Sequence, residues 1–152
     1  MDIDQTLVIL KPDAVQRGLA GQIISRFELR GLKIVAMKML HLSRELAEKH
    51  YAVHRGKDFY PPLVEYITSA PVVVMVIAGP SAIETVRKMM GATDSPQADP
   101  GTIRGDWGLS KQANLVHGSD SPQTAATEIA LFFRPDELLN YDRADQKWVW
   151  PS

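Results

Sequence analysis

Cysteine is absent from the 152-residue sequence, which excludes a disulfide framework and a thiolate metal site. Long hydrophobic runs are missing too, since the longest, residues 72–78, is far too short to cross a bilayer. Charge of one sign is not in excess, because 17 Lys and Arg stand against 18 Asp and Glu. This balance argues against a dedicated nucleic-acid partner but leaves room for a small basic pocket.

The start of the chain lacks the order of a signal peptide, because Met1-Asp2-Ile3-Asp4 is acidic rather than basic and then apolar. Hydrophobic residues make up 45% of the chain and charged residues 23%, which is typical of a globular protein with its own core. We therefore expect a single domain, residues 1–152, in the cytoplasm and without a membrane partner.

Two common phosphate-binding loops are also missing. Neither G-x-x-x-x-G-K-[ST] nor G-x-G-x-x-G occurs, so side chains would have to hold any nucleotide. No spacing of His, Asp and Glu matches a metal motif such as H-E-x-x-H, and we predict no metal ligands from the sequence.

Apolar, β-branched segments alternate with helical patterns along the chain. Strands are predicted at residues 6–10, 34–40, 72–77 and 114–117, and helices at about 19–29, from Ser43 onward, 61–67, 81–91 and 121–133. Ser43 and Ser121 are predicted N-caps, Ser81 and Glu84 form an S-x-x-E capping box, and Gly31 is a predicted C′ residue.

This order contains a βαββαβ pattern, which favours an α+β sandwich of the ferredoxin-like type, an antiparallel sheet covered by helices. A small parallel α/β sheet is the alternative, since strand pairing cannot be read from the sequence. Residues 92–113 show no clear period and form a long insertion loop, of the kind that is usually functional or disordered.

The segment 114–120, Asn-Leu-Val-His-Gly-Ser-Asp, places His117 at the end of a strand and beside a helix N-terminus. Gly118 would permit a tight turn and a close ligand approach. A histidine there can present one ring nitrogen outward while a hydrogen bond holds the other, which suits a nucleophile. The residue types alone favour equally a histidine in a polar turn without a role.

Glu128 lies among apolar residues at helical spacing in the last predicted helix. A carboxylate at the edge of a core usually has a partner, and His117 or Ser119 could supply it. The alternative is a glutamate that reaches solvent along the helix edge.

Three cations, Lys11, Arg87 and Arg104, fall at element ends or in the long loop. A triphosphate site needs fixed donors of this kind, although singly each is more often a solvated surface charge. Phe59 precedes a predicted helix start, where an exposed aromatic could stack on a base. Packing over the local core is the alternative for Phe59.

In these residues the chain resembles the nucleoside diphosphate kinase family. The segment 114–120 matches the family's N-x-x-H-G-S-D signature. Residues 11–18, Lys-Pro-Asp-Ala-Val-Gln-Arg-Gly, and 100–106, Pro-Gly-Thr-Ile-Arg-Gly-Asp, match it as well, and the similarity runs from about Thr6 to Trp148.

The resemblance implies Mg²⁺-nucleotide substrates, mainly ATP as donor, and a ping-pong mechanism in which His117 attacks through Nδ1. Glu128 would orient the imidazole directly or through Ser119, and Phe59 would stack on the base. The family's phosphate and ribose contacts fall on Lys11, Tyr51, Arg87, Thr93, Arg104 and Asn114.

The chain departs from the family pattern in places. Val53 stands where many relatives have an acidic residue, Lys57-Asp58 replaces a frequent Arg-Pro, and Ser95-Pro96 shifts a proline of the insertion loop. These changes put a water-mediated carboxylate role and the packing of the loop between subunits in doubt.

The resemblance also implies a homo-oligomer, and the C-terminal segment favours a hexamer over a tetramer. Trp148 and Trp150 lie in a tail without core periodicity, so we expect them to pack on a neighbouring subunit. A nucleotide-binding regulatory module without turnover is the alternative function, and a structural or signalling protein is a third. A serine hydrolase built on Ser119 lacks the G-x-S-x-G elbow.

Overall fold

The computed structural model describes residues 3–151; Met1 and Asp2 of the acidic N-terminus, and Ser152, lie outside it. A four-stranded sheet of order β2-β3-β1-β4 forms its centre, and every neighbouring pair is antiparallel. This arrangement confirms the ferredoxin-like fold and excludes the parallel alternative. The strands are β1 Ile3–Leu10, β2 Lys33–Leu40, β3 Val72–Pro80 and β4 Val116–Gly118.

Most helices begin where the sequence predicts. Ser43 and Ser121 accept the backbone N–H groups of Leu46 and Thr124, and Gly31 follows α2 with a φ of +98°. The helices are α1 Pro12–Gln16, α2 Ala20–Leu29, α3 Arg44–His50, α4 Tyr60–Ile67, α5 Ala82–Met90, α6 Ile103–Trp107, α7 Pro122–Phe132 and α8 Gln146–Val149. Within residues 3–151, no helix is both long and apolar enough for a membrane crossing.

Helices cover both faces of the sheet, so the buried parts of β1 and β3 are apolar except for Thr6 of β1. Leu7 and Ile9 pack with α3, α4 and α7, whereas Val8 and Leu10 pack with α2 and α5. In the antiparallel ladder His117 is the partner of Ile9. Paired residues share a face, and His117 therefore lies on the side of α3 and α7.

The capping box predicted at Ser81 and Glu84 is wrong. Ser81 lies in the left-handed region, with φ of +47°, and its side chain caps no backbone group within residues 3–151. The carboxylate of Asp4 instead accepts the N–H of Ala82. Because β1 lies beside the start of α5, Asp4 on that strand caps the helix in place of Ser81.

The insertion loop is more ordered than its sequence indicates. It contains a 3₁₀ turn, Ser95–Gln97, and the single-turn helix α6. The Thr102 hydroxyl caps α6 by accepting the N–H of Gly105 at 3.0 Å. Five residues are too few to show a helical period, and the buried cation on α6, Arg104, hides the turn further.

The two tail tryptophans differ. Trp148 is 81% exposed, and its packing on a neighbouring subunit stays a prediction. Trp150 is half-buried on its own chain, where its indole N–H donates to the carbonyl of Gly31 at 2.8 Å. The expectation that both rings lack protection within one chain is therefore wrong for Trp150, because α8 turns the tail back onto the end of α2.

Candidate active site

A cleft of about 970 Å³ opens at the end of the sheet where β4 meets α3 and α7. It collects nearly every site residue that the sequence predicts. Ser119 alone of these is not in the lining, because it is fully buried behind Glu128. The predicted residues in the lining are Lys11, Tyr51, Phe59, Arg87, Thr93, Arg104, Asn114, His117 and Glu128.

The cleft is cationic although the whole chain carries a net charge of -1. Its lining has five Lys or Arg side chains, Lys11, Lys49, Arg87, Arg104 and Lys111, against two carboxylates, Asp120 and Glu128. A concave surface lined with one sign of charge concentrates ligands of the other sign. This cationic cleft is therefore suited to a polyanion.

Among the described residues, His117 is held through its Nε2 nitrogen alone. Its Nε2 lies 3.0 and 3.1 Å from the two carboxylate oxygens of Glu128. A carboxylate accepts hydrogen bonds, so this contact selects the tautomer with the proton on Nε2. Nδ1 then keeps its lone pair, on a ring whose side chain is 24% exposed at the cleft wall.

Glu128 reaches His117 because α7 turns it inward together with Ala125 and Phe132. Burial alone raises the pKa of the Glu128 carboxyl, but hydrogen bonds from His117 and Ser119 outweigh it, and the net pKa is below the ordinary value. The Ser119 hydroxyl donates to Oε1 at 2.7 Å and accepts the N–H of Leu7 at 3.2 Å. Strand β1 thus fixes Ser119, which fixes the carboxylate.

Lys11 and Asn114 form a buried pair at the floor of the cleft. The Lys11 ammonium donates to Oδ1 of Asn114 at 2.8 Å, and the Asn114 amide donates to the carbonyl of Thr93 at 2.9 Å. Burial and the charge of Arg104 lower the pKa of Lys11 to about 8, although Asp13 acts in the opposite direction. Asn114 therefore places a lysine of reduced basicity at the site.

Arg104 ties the insertion to the strand that carries His117. Its guanidinium donates to the carbonyls of Asn114, Gly91 and Val116 at 3.1, 2.9 and 2.6 Å. Burial and the nearby charge of Arg87 lower the pKa of Arg104 to about 10. Within the part of the chain that the structure describes, backbone carbonyls engage three of its five N–H donors.

The backbone beside the histidine is strained. Leu115 has a φ of +75°, a conformation that costs a non-glycine residue about 1–3 kcal/mol. The Asp13 carboxylate accepts its N–H at 3.1 Å, and its carbonyl accepts the N–H of Lys11 at 2.8 Å. The start of α1 therefore holds the turn that separates Asn114 from His117.

Gly118 has a different role from the predicted turn. It belongs to β4 and is not among the positive-φ residues in the part of the chain that the structure describes. A Cβ built on it would lie 2.7 Å from the sulfur of Met90 and 3.1 Å from Val86. The missing side chain lets α5 approach the strand.

The rim of the cleft is aromatic on one side. Phe59 is 48% exposed, with the ring of His54 at 5.1 Å and the ammonium of Lys57 at 5.6 Å. Tyr51 is buried, and burial followed by the charge of Glu128 raises its pKa to about 12. Phe59 thus presents an open face for stacking, while Tyr51 stays a neutral phenol.

His50 is a site residue that sequence reasoning did not single out. It ends α3, its side chain is 1% exposed, and its ring centre lies 4.8 Å from that of His117. Burial, with the neighbouring His117 second, lowers its pKa to about 3, so the ring is neutral. Its only sequence signal is the apolar spacing with Ala47, which is typical of a core position.

Comparison with known proteins identifies a family and close relatives for this chain. The family model described as nucleoside diphosphate kinase matches residues 4–138. A nucleoside diphosphate kinase of Pyrococcus abyssi is 63% identical over 150 residues, which cover 97% of this chain and 94% of that protein.

Two solved structures share the fold over almost their whole length. A halophilic nucleoside diphosphate kinase from Halobacterium salinarum in complex with CDP superposes with a TM-score of 0.96 at 49% identity, covering 99% of this chain and 100% of that one. A Borrelia burgdorferi nucleoside diphosphate kinase, a transition-state mimic with bound vanadate and ADP, has a TM-score of 0.89 at 41% identity and covers 95% of both chains.

Proposed function

The chain belongs to the nucleoside diphosphate kinase family, and we propose that it moves the γ-phosphate of a nucleoside triphosphate, mainly ATP, to nucleoside diphosphates through a phosphorylated His117. One observation carries the proposal: Glu128 holds Nε2 of His117, which leaves Nδ1 as the nucleophilic nitrogen in a cationic cleft. The bound CDP, vanadate and ADP of the two related structures support nucleotides as ligands of this cleft.

In the first half-reaction a bond forms between Nδ1 and the γ-phosphorus as the bond from that phosphorus to the β-phosphate oxygen breaks. The leaving diphosphate takes the electron pair. Attack makes the imidazole cationic, and the Glu128 carboxylate 3.0 Å from Nε2 stabilises that charge. The second half-reaction reverses these steps with another diphosphate as acceptor.

Positioning and charge supply the rest of the catalysis, since phosphoryl transfer needs little covalent help. Lys11, Arg87 and Arg104 line the cleft and would place positive charge around the transferring group. Mg²⁺, the proposed cofactor, would neutralise phosphate charge and would be held mainly by phosphates and water. Glu128, one of the two cleft carboxylates, is engaged with His117 and Ser119, so the lining offers little for a protein-bound Mg²⁺.

A kinetic assay separates the kinase from a nucleotide-binding module without turnover. The kinase forms GTP from ATP and GDP. When ATP is varied at several fixed concentrations of GDP, double-reciprocal plots should give the parallel lines of a ping-pong mechanism. A binding module would retain nucleotide without producing GTP, and that result would contradict the proposal.

Broad tolerance of bases is the first prediction. Stacking on a base is worth about 1–3 kcal/mol and varies little, because every base has a π-face. Adenine, guanine, cytosine and uracil diphosphates should therefore accept phosphate with efficiencies within roughly two decades. Phe59→Ala should raise KM for all four in parallel. A thousandfold preference for one base would contradict stacking as the mode of recognition.

Lys11 provides a pH prediction. Below its pKa of about 8 the free enzyme carries the ammonium, and above it the amine is neutral. Bound phosphate favours the ammonium and raises the pKa, so nucleotide binding at about pH 8.5 should take up protons, and affinity should fall as pH rises further. Calorimetry in two buffers of different ionisation enthalpy measures the uptake.

Lys11→Arg is the matched variant for this measurement, because arginine stays charged throughout. It should bind nucleotide at about pH 8.5 without the extra protons. Equal proton uptake by both proteins would show that another group titrates.

Homo-oligomerisation and a cytoplasmic location complete the proposal, with a hexamer favoured over a tetramer. The exposed Trp148, and Met37 and Met39 on the edge strand β2, at 52% and 61% exposed, support a subunit contact. Size-exclusion chromatography with light scattering should give about six times 16.9 kDa. A tetramer would contradict the hexamer alone, and a monomer would contradict the contact itself.

A further inference from the structure

Three potential metal ligands converge inside the cationic cleft from elements far apart in the chain. They are His50 at the end of α3, His117 on β4 and Glu128 on α7, and one donor atom of each lies within 4.8 Å of the others. Oε2 of Glu128 lies 3.7 Å from Nδ1 of His50 and 3.1 Å from Nε2 of His117.

His50 lacks the partner that a buried imidazole normally has. Neither of its nitrogens finds a hydrogen bond within the described residues 3–151, although its side chain is 1% exposed. The separation of 3.7 Å from Glu128 is too long for a hydrogen bond. An unpartnered buried polar group costs free energy, and a ligand that used this lone pair would recover it.

The spacing suits a tetrahedral transition metal. With Zn–N of about 2.0–2.1 Å and Zn–O of about 2.0–2.2 Å, ligand atoms in a tetrahedral site lie roughly 3.3–3.5 Å apart. Measured from Oε2 of Glu128, Nε2 of His117 lies at 3.1 Å and Nδ1 of His50 at 3.7 Å, and these two ligand separations bracket that value. Two imidazoles and a carboxylate are ligands that Zn²⁺ accepts with a water in the fourth position, whereas Mg²⁺ prefers six oxygens.

We propose that His50, His117 and Glu128 form a binding site for a divalent transition metal such as Zn²⁺, and that the bound metal blocks phosphorylation. Coordination uses the lone pair on Nε2 of His117, so the proton of that ring must move to Nδ1. No proton is lost overall and no electron is transferred. Nδ1 then has no lone pair with which to attack a phosphorus, a consequence that rests on the proposed function.

Metal binding is tested without any nucleotide. The full-length protein competes for Zn²⁺ with a chromophoric chelator in excess Mg²⁺, and we expect one tight Zn²⁺ per chain. His50→Gln should weaken binding at least about a hundredfold, since loss even of an outer-shell partner costs about tenfold to a hundredfold. His54→Gln, which removes another histidine from the same cleft, should bind as the wild type does.

Equal affinity of His50→Gln and the wild type would overturn the site, and so would an equal loss in His54→Gln. Nitrogen-15 NMR of the histidine rings gives a second readout that needs no variant. One equivalent of Zn²⁺ should move the His117 proton from Nε2 to Nδ1, and an unchanged tautomer would overturn the proposal.

The block itself is measured as the rate of labelling by γ-labelled ATP with excess Mg²⁺. One equivalent of Zn²⁺ per chain should slow labelling at least about tenfold, because a catalytic group in the wrong protonation state typically loses at least that much in rate. An unchanged rate would overturn the block. The zinc-free sample reports the proposed function separately, because its failure to label would contradict the kinase and leave the Zn²⁺ binding result standing.

Discussion

Replacing His117 by alanine should abolish phosphoryl transfer between nucleotides. Loss of a covalent nucleophile lowers turnover on the order of 10⁴- to 10⁶-fold, because the remaining charges position the substrates but cannot accept the phosphoryl group. Nucleotide binding should persist, since Lys11, Arg87, Arg104 and Phe59 are unchanged. Coupled detection of GTP formed from ATP and GDP measures the loss, and equilibrium dialysis with ADP measures the binding.

His41→Ala is the matched control, because His41 is an exposed histidine whose Nε2 contacts the carbonyl of Thr68, outside the cleft. It should transfer phosphate at the wild-type rate. If His117→Ala kept a tenth of the activity, the nucleophile would have to be another group.

Glu128 is expected to have the second largest effect. Glu128→Gln keeps the size of the side chain but removes the charge 3.0 Å from Nε2 of His117. The neutral amide no longer stabilises the cationic ring or selects its tautomer, so kcat should fall roughly tenfold to a thousandfold. KM should change little, because Glu128 contacts the histidine rather than the phosphates.

Glu128→Asp separates charge from reach. It keeps a carboxylate but withdraws it by one methylene, which lengthens the contact to Nε2 and leaves Ser119 without its acceptor. We expect a smaller fall in kcat than for Glu128→Gln, because the charge of the carboxylate is kept. Unchanged kcat in both variants would mean that the carboxylate does not assist His117.

Much of the fold could be predicted because each strand and most helices carry local signals. The β-branched run 72–77 is a strand buried on both faces, and the Ser121 cap marks α7 without ambiguity. Motifs predict the site residues: His117 and Asn114, for example, both lie in the short signature segment 114–120. The structure adds the physical reason: His117 pairs with Ile9 in the ladder and so faces α7.

The remainder depended on contacts between distant residues, which no local pattern contains. The cap of α5 comes from Asp4 across the β1–β3 ladder, so the S-x-x-E pattern at Ser81 was misleading. Helix α6 is one turn long and is held by the bonds of Arg104. His50 resembles a core residue in sequence, and the packing of α3 against α7 brings it beside His117.

The most direct test of a phosphohistidine mechanism is to incubate the protein with γ-labelled ATP and Mg²⁺ in the absence of an acceptor. A phosphohistidine mechanism predicts label on the chain, up to one phosphoryl group per subunit, that survives base, is lost in acid and passes to GDP when GDP is added. Label that survives acid but not base would indicate a phosphoserine, for example at Ser119. That result, or transfer to GDP without any labelled protein, would contradict phosphorylation of His117.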